Sequence, residues 1–142
     1  MIREFIHGDP KAQPRPKAAR CRGGIRIYTP PSADAWKALV RIGFAKHKGT
    51  FVKGEALAIH LQFNFKRAAG NLKKSGELRK GVNFYHVQKP DFDNLAKAVV
   101  DAIGDAGVWH DDCQIVSSRI GKKWSVDNED VGCGIIIKKV EE

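Results

Sequence analysis

Asp91, Asp93, Asp101, Asp105, Asp111 and Asp112 crowd into one stretch, KPDFDNLAKAVVDAIGDAGVWHDDCQI, of a chain that is otherwise strongly basic. Like charges packed this closely repel one another unless a cation sits among them. Magnesium suits such a cluster, because it prefers oxygen ligands, keeps several waters and commonly binds through one or two carboxylates plus a substrate phosphate. The chemistry this allows is phosphodiester hydrolysis, with the metal generating hydroxide, polarising the scissile phosphate or stabilising the leaving oxygen; two ions ~4 Å apart could serve both sides of an in-line displacement. Lys97 would then be a point charge beside the phosphate or a proton donor to the leaving 3′ oxygen. A purely structural reading uses the same spacing: Asp91 and Asp93 cap a helix, Lys97 pairs with Asp93 or Asp101, and Asp111 with Asp112 forms an exposed turn. Basic segments on both sides of the cluster favour the phosphate-cutting reading.

The elements that must position these residues can be read from the pattern. Pro90 disfavours helix at Lys89, so Asp91 and Asp93 lie at or just before a helical N-terminus, with Asp93 the expected N-cap. From about Asp93 to Asp105, Leu95, Ala98, Val99, Ala102 and Ile103 share one face, while Lys97, Asp101 and Gly104 share the other. Asp93, Lys97 and Asp101 succeed one another at intervals of one turn. Gly107 ends the helix, Val108 and Trp109 anchor the reversal, and Asp111 and Asp112 are expected to open the next strand. One gap stays open: if the helix runs antiparallel to the next strand, Asp112 starts far from Asp91.

Further out, residues 2–7 (IREFIH) and 56–65 (ALAIHLQFNF) alternate as strands, the latter burying Leu57, Ile59, Leu61, Phe63 and Phe65. Two more strands are expected over 113–120 and 131–140. A helix from Ala33 to about Lys46 places Trp36, Leu39, Val40 and Phe44 at core spacing, with Ser32 as N-cap. Between the first strand and this helix lies an extended basic arm containing Lys11, Arg15, Lys17 and Arg20. A second basic segment, residues 66–89, carries Lys73, Lys74, Arg79, Lys80 and Lys89 and reads as a long loop. Strands interspersed with helices predict one α+β (mixed α/β) domain over residues 1–142, a mixed sheet covered by two or more helices.

The formal charge of +9 and pI near 9.6 point to a polyanionic partner. No apolar stretch approaches the roughly 20 residues that span a bilayer, and Arg3, Glu4, His7 and Asp9 interrupt any signal-peptide core, so a cytoplasmic protein is expected. Cys21, Cys113 and Cys133 lack the pairing of a disulfide framework or a zinc knuckle. The scattered histidines, including His86 and His110, read as structural. Trp36 and Trp109 read as core, whereas Phe84, Tyr85 and Phe92 pack or else stack against unpaired bases.

At PDFDNLAKAVVDAIGDAGVWHDDCQI the chain resembles the RusA family of Holliday junction resolvases, whose pattern has Asp-x-Asp-Asn-Leu-x-Lys, then Asp-Ala, then Trp before Asp-Asp and a Gln. FIHGDPKAQPRPKA and IYTPP resemble the family's first strand with its Gly, Pro and Arg-rich continuation, and the segment before its first helix. The resemblance implies metal-binding aspartates at Asp91, Asp93 and Asp112, assisted by Asp111, and a catalytic lysine at Lys97. It also implies a homodimer that binds a four-way DNA junction and nicks two strands symmetrically with magnesium, manganese substituting. No other small-molecule cofactor is implied. The family is often carried by phages and prophages and serves recombination and repair, hence at the nucleoid. Lys11, Arg15, Lys17, Arg20, Lys73, Lys74, Arg79, Lys80 and Lys89 are the expected phosphate contacts. A non-catalytic protein that grips branched DNA, or a nuclease for forks or flaps, remains open beside this reading.

Overall fold

Alternation of apolar and polar residues builds most of the sheet. The computed structural model describes residues 1–71, 73–77 and 79–141. Its elements are β1 (Ile2–His7), β2 (Lys17–Cys21), β3 (Gly24–Tyr28), α1 (Asp34–Phe44), β4 (Leu57–Phe65), α2 (Phe92–Asp105), β5 (Ile115–Trp124) and β6 (Gly132–Lys139). The main sheet has the order β1-β6-β4-β5. The β1/β6 and β4/β6 pairs are antiparallel, and β4/β5 is parallel. The fold is the expected α+β type, a mixed sheet with two α-helices.

Parallel neighbours need a long crossover, and here α2 supplies it. The helix therefore starts at the carboxyl ends of β4 and β5 and runs back over the sheet. Its buried face, Leu95, Ala98, Val99, Ala102 and Ile103, joins Trp36, Val40 and Phe44 of α1 and the inward residues of β1, β4 and β6 in one apolar cluster. Each Leu, Ile or Phe buried this fully stabilises the fold by about 1.5–3 kcal/mol. The helices lie on one face of the sheet only.

Four local expectations change. Helix α1 begins at Asp34 with Ala33 in the cap position and no side-chain cap, so Ser32 does not cap it; the Asp34 amide donates instead to the Pro31 carbonyl. Leu39 is 44% exposed and stands outside the core cluster. The basic arm is an antiparallel hairpin, β2 with β3, whose residues are all exposed; prolines at 10, 14 and 16 end before it, so they do not prevent its pairing. Finally, Asp112 belongs to a 3-10 turn, Asp112–Gln114, rather than to the strand, which begins at Ile115.

Candidate active site

Asp91 holds the N-cap position of α2 with extended backbone (φ −70°, ψ 147°), but its side chain makes no capping hydrogen bond. The cap expected of Asp93 thus falls to Asp91 by position and to neither by bonding. Both carboxylates are exposed. A hollow of about 510 Å³ beside Asp91 is lined by Ala12, Arg15, Lys89, Pro90 and Asn94. The Gln13 amide, donating to the Asn94 carbonyl at 2.9 Å, ties the arm to the helix. Of the expected phosphate contacts, Arg15 and Lys89 therefore stand with Asp91. One turn on, Lys97 Nζ lies 3.4 Å from the Asp101 carboxylate and its side chain is 62% exposed. An exposed i,i+4 pair contributes about 0.3–0.5 kcal/mol, which restrains Lys97 little.

At the other end of α2 a second set of bonds fixes Asp111 and Asp112. Asp111 accepts from the Cys113 amide at 2.9 Å, and its bonds to Cys113 hold its carboxyl below the usual carboxylate range. Gln114 accepts from the amides of His110 and Asp111 at 2.8 and 2.9 Å. Its Nε2 donates to the carbonyls of Val52 and Glu55 at 2.9 and 3.0 Å. Asp112 Oδ1 accepts from Trp109 Nε1 at 2.7 Å. Gly104 makes room for this carboxylate, since a β-carbon there would lie 2.9 Å from Asp112 Oδ1. Glycine costs a helix interior about 1 kcal/mol relative to alanine, so the position favours the site over the helix. Lys37, Asp101, Asp105 and Asp112 line a hollow of about 390 Å³.

The two ends are far apart. Gly104, against which Asp112 rests, is separated from Asp91 by on the order of 20 Å of helix at 1.5 Å per residue. One chain thus leaves Asp91 and Asp93 at the start of α2 and Asp111 and Asp112 beyond its end, and does not join the pairs. Among the described residues no three His, Cys, Asp or Glu side chains converge as a metal centre within one chain. Lys11, Lys17 and Arg20 are exposed on the arm and hairpin, and Lys73, Lys74, Arg79 and Lys80 on the loop.

With the carboxylates placed on α2 and its flanks, the chain can be set against known proteins. A family model described as endodeoxyribonuclease RusA matches residues 7–136. The chain belongs to the RusA family. The match takes in both ends of α2, the hairpin, all of β4 and β5 and most of β6, and begins at the last residue of β1. The RusA-family chain is also similar to "Uncharacterized protein YqaN" of Bacillus subtilis (strain 168), with 26% identity over 126 residues, 87% of this chain and 88% of that one.

Sequence reasoning missed Lys122 of β5. Its Nζ donates to the carbonyls of Gln88 and Pro90, both at 2.6 Å. Burial pushes its ammonium below the ordinary lysine value, and the charge of Asp91 opposes that shift. Lys122 sits in register with Ile120 and Trp124, and a lysine on the inward side of a strand was the available signal. The same strand end displays the aromatic segment. Trp124 donates to the Phe84 carbonyl, His86 to that of Lys122, and Tyr85 bridges to Lys123. Phe84, Tyr85 and Phe92 are exposed, while His86 is buried and stacked 3.9 Å from Phe65. His86 also packs against the Trp124 ring, 4.4 Å between centroids.

Proposed function

We propose that this RusA-family chain is a magnesium-dependent endonuclease that, as a homodimer, resolves four-way DNA junctions by paired symmetric nicks in recombination and repair. The observation that carries this reading is the pair Asp91 and Asp93: two exposed carboxylates at the start of α2, the first of them beside Arg15 and Lys89. A carboxylate pair with open water positions fits the donor preference of magnesium, with manganese as substitute. When bound there, the ion supplies Lewis-acid activation of water and of the phosphodiester.

The chain's own groups account for the rest. Arg15 and Lys89 hold phosphates on either side of the scissile bond, and the arm tied to Asn94 keeps Arg15 in place. Lys97, loosely paired with Asp101, swings to the phosphate and stabilises charge on the leaving oxygen. Asp112, with Asp111 as its neighbour, lies at the wrong end of α2 to join Asp91 within one chain. A site that takes all three carboxylates therefore draws them from two chains, and a two-fold dimer carries two such sites for a substrate of near two-fold symmetry. In this reading the exposed rings of Phe84, Tyr85 and Phe92 stack on unpaired bases at the branch point. Lys11, Lys17, Arg20, Lys73, Lys74, Arg79 and Lys80 track the arms through phosphate contacts.

Cleavage in magnesium of matched four-way, fork and linear duplex substrates tests the reading. Paired nicks on the four-way substrate alone are expected. Preferential cutting of forks or flaps, or binding without cutting, would overturn it.

A further inference from the structure

Because both helices cover the same face of the main sheet, its opposite face carries no helix among the described residues. Strand alternation places Arg3, Arg119 and Lys138 on that face. The register ties them together: Arg3 and His60 both pair with Ile136, Arg119 pairs with His60, and Lys138 pairs with Ala58. Two adjoining hollows of about 390 and 360 Å³ share Arg3, His60 and Ile136. Among the described residues, none of the three cations has a carboxylate within ion-pair distance. The acidic neighbours are already engaged, Glu4 by Lys46 and His47 and Asp130 by Asn64, Ser125 and Lys123.

We propose that this open sheet face is a second DNA-binding surface, which holds the phosphodiester backbone of one arm of the substrate while the Asp91 end of α2 engages the scissile strand. The inference rests on the reading of branched DNA as substrate. Unpaired cations on a face with no free carboxylate among the described residues select a polyanion. A second copy of the chain docked there by two-fold symmetry would set the cluster against itself, so charge disfavours that occupant. Phe5, partly exposed and 4.6 Å from the His7 ring, adds a π surface on the edge strand β1, beside the same hollow as Arg3 and His60. Lys122 points to the helix side, so this surface and Asp91 lie on opposite sides of the sheet. A linear duplex bound at Asp91 turns away from it, whereas an arm diverging from a branch can reach it.

The test measures junction affinity by fluorescence anisotropy in EDTA at several salt concentrations, for wild type and for Arg3→Ala/Arg119→Ala/Lys138→Ala. Three lost phosphate contacts should reduce the slope of log affinity against log salt by roughly 2.7, at about 0.9 each. The loss should be larger for the four-way substrate than for linear duplex. The single variant Arg119→Glu, on the exposed edge strand β5, should lower the slope as well. Light scattering should give both variants the wild-type mass. Unchanged slopes overturn the surface alone, provided wild type binds. A variant that falls to half the wild-type mass makes the face an interface between copies and overturns the proposal. Wild type that retains no branched DNA overturns the substrate reading and this surface with it.

Discussion

Lys122 reaches from the inward side of β5 to the carbonyl oxygen of Pro90, at 2.6 Å, immediately before Asp91. A second bond of equal length holds Gln88, so the sheet fixes the entry of α2 through one ammonium group. Hydrogen bonds from a charged donor contribute about 1.5–3 kcal/mol. Lys122→Met should therefore lower stability by about that amount in urea unfolding. It should also raise the magnesium concentration needed for half-maximal cleavage, with partial recovery in Lys122→Arg. An unchanged magnesium requirement in Lys122→Met would remove Lys122 from the positioning of Asp91.

Gly104 separates helix stability from site geometry. Gly104→Ala gains up to about 1 kcal/mol of helix propensity, while its methyl displaces the Asp112 carboxylate, whose Oδ1 lies 2.9 Å from that position. The expected variant melts no lower than wild type but cleaves junctions at least tenfold more slowly. Full activity in this variant would show that the placement of Asp112 against α2 is immaterial.

Replacement of Lys73, Lys74, Arg79 and Lys80 together by alanine is expected to reduce the salt slope of junction binding by as much as about 3.6. A slope equal to that of wild type would leave the loop as a solvated surface.

Burial against Phe65 and Trp124, with the charge of Lys122 adding to it, holds His86 below the ordinary imidazole value of 6.5. A depressed folded value means that the unfolded chain takes up the proton first. The contribution of His86 is thus fully present above pH 6.5 and is lost as pH falls below it. Urea midpoints should decline on acidification below 6.5, less steeply in His86→Phe. Parallel declines in both proteins would count against this assignment.

How far the sequence carried can be judged from particular residues. β1, β4 and α2 were legible because their periodicity states which face is buried. The hairpin was not, since KAARC shows no alternation and the Ile25-Arg26-Ile27 alternation of GIRIY is short and faces solvent. Ser32 looked like a cap because cap preference is statistical, whereas the chain used the Pro31 carbonyl. The carboxylates at Asp91, Asp93 and Asp112 were readable as residue types, but their separation was readable only as a consequence of an antiparallel helix, a direction the sequence left open. It results from the parallel pairing of β4 with β5, which makes α2 run back along the sheet. Lys122 lies far along the chain from Pro90, beyond the reach of any local pattern.

Asp91 and Asp112, held at opposite ends of α2, are proposed to serve one metal-dependent site contributed by two chains. Asp91→Asn and Asp112→Asn each retain side-chain shape while removing a negative ligand. Each alone should lose junction cleavage by orders of magnitude, and Asp34→Asn, on an exposed turn of α1, should not. The decisive measurement is nicking by a co-refolded mixture of the two variants. A mixed dimer then holds one doubly substituted site and one intact site, so the mixture should regain single-strand nicking that neither variant shows. A mixture as inactive as its components, or an Asp112→Asn protein that cuts at the parental rate, would contradict the account.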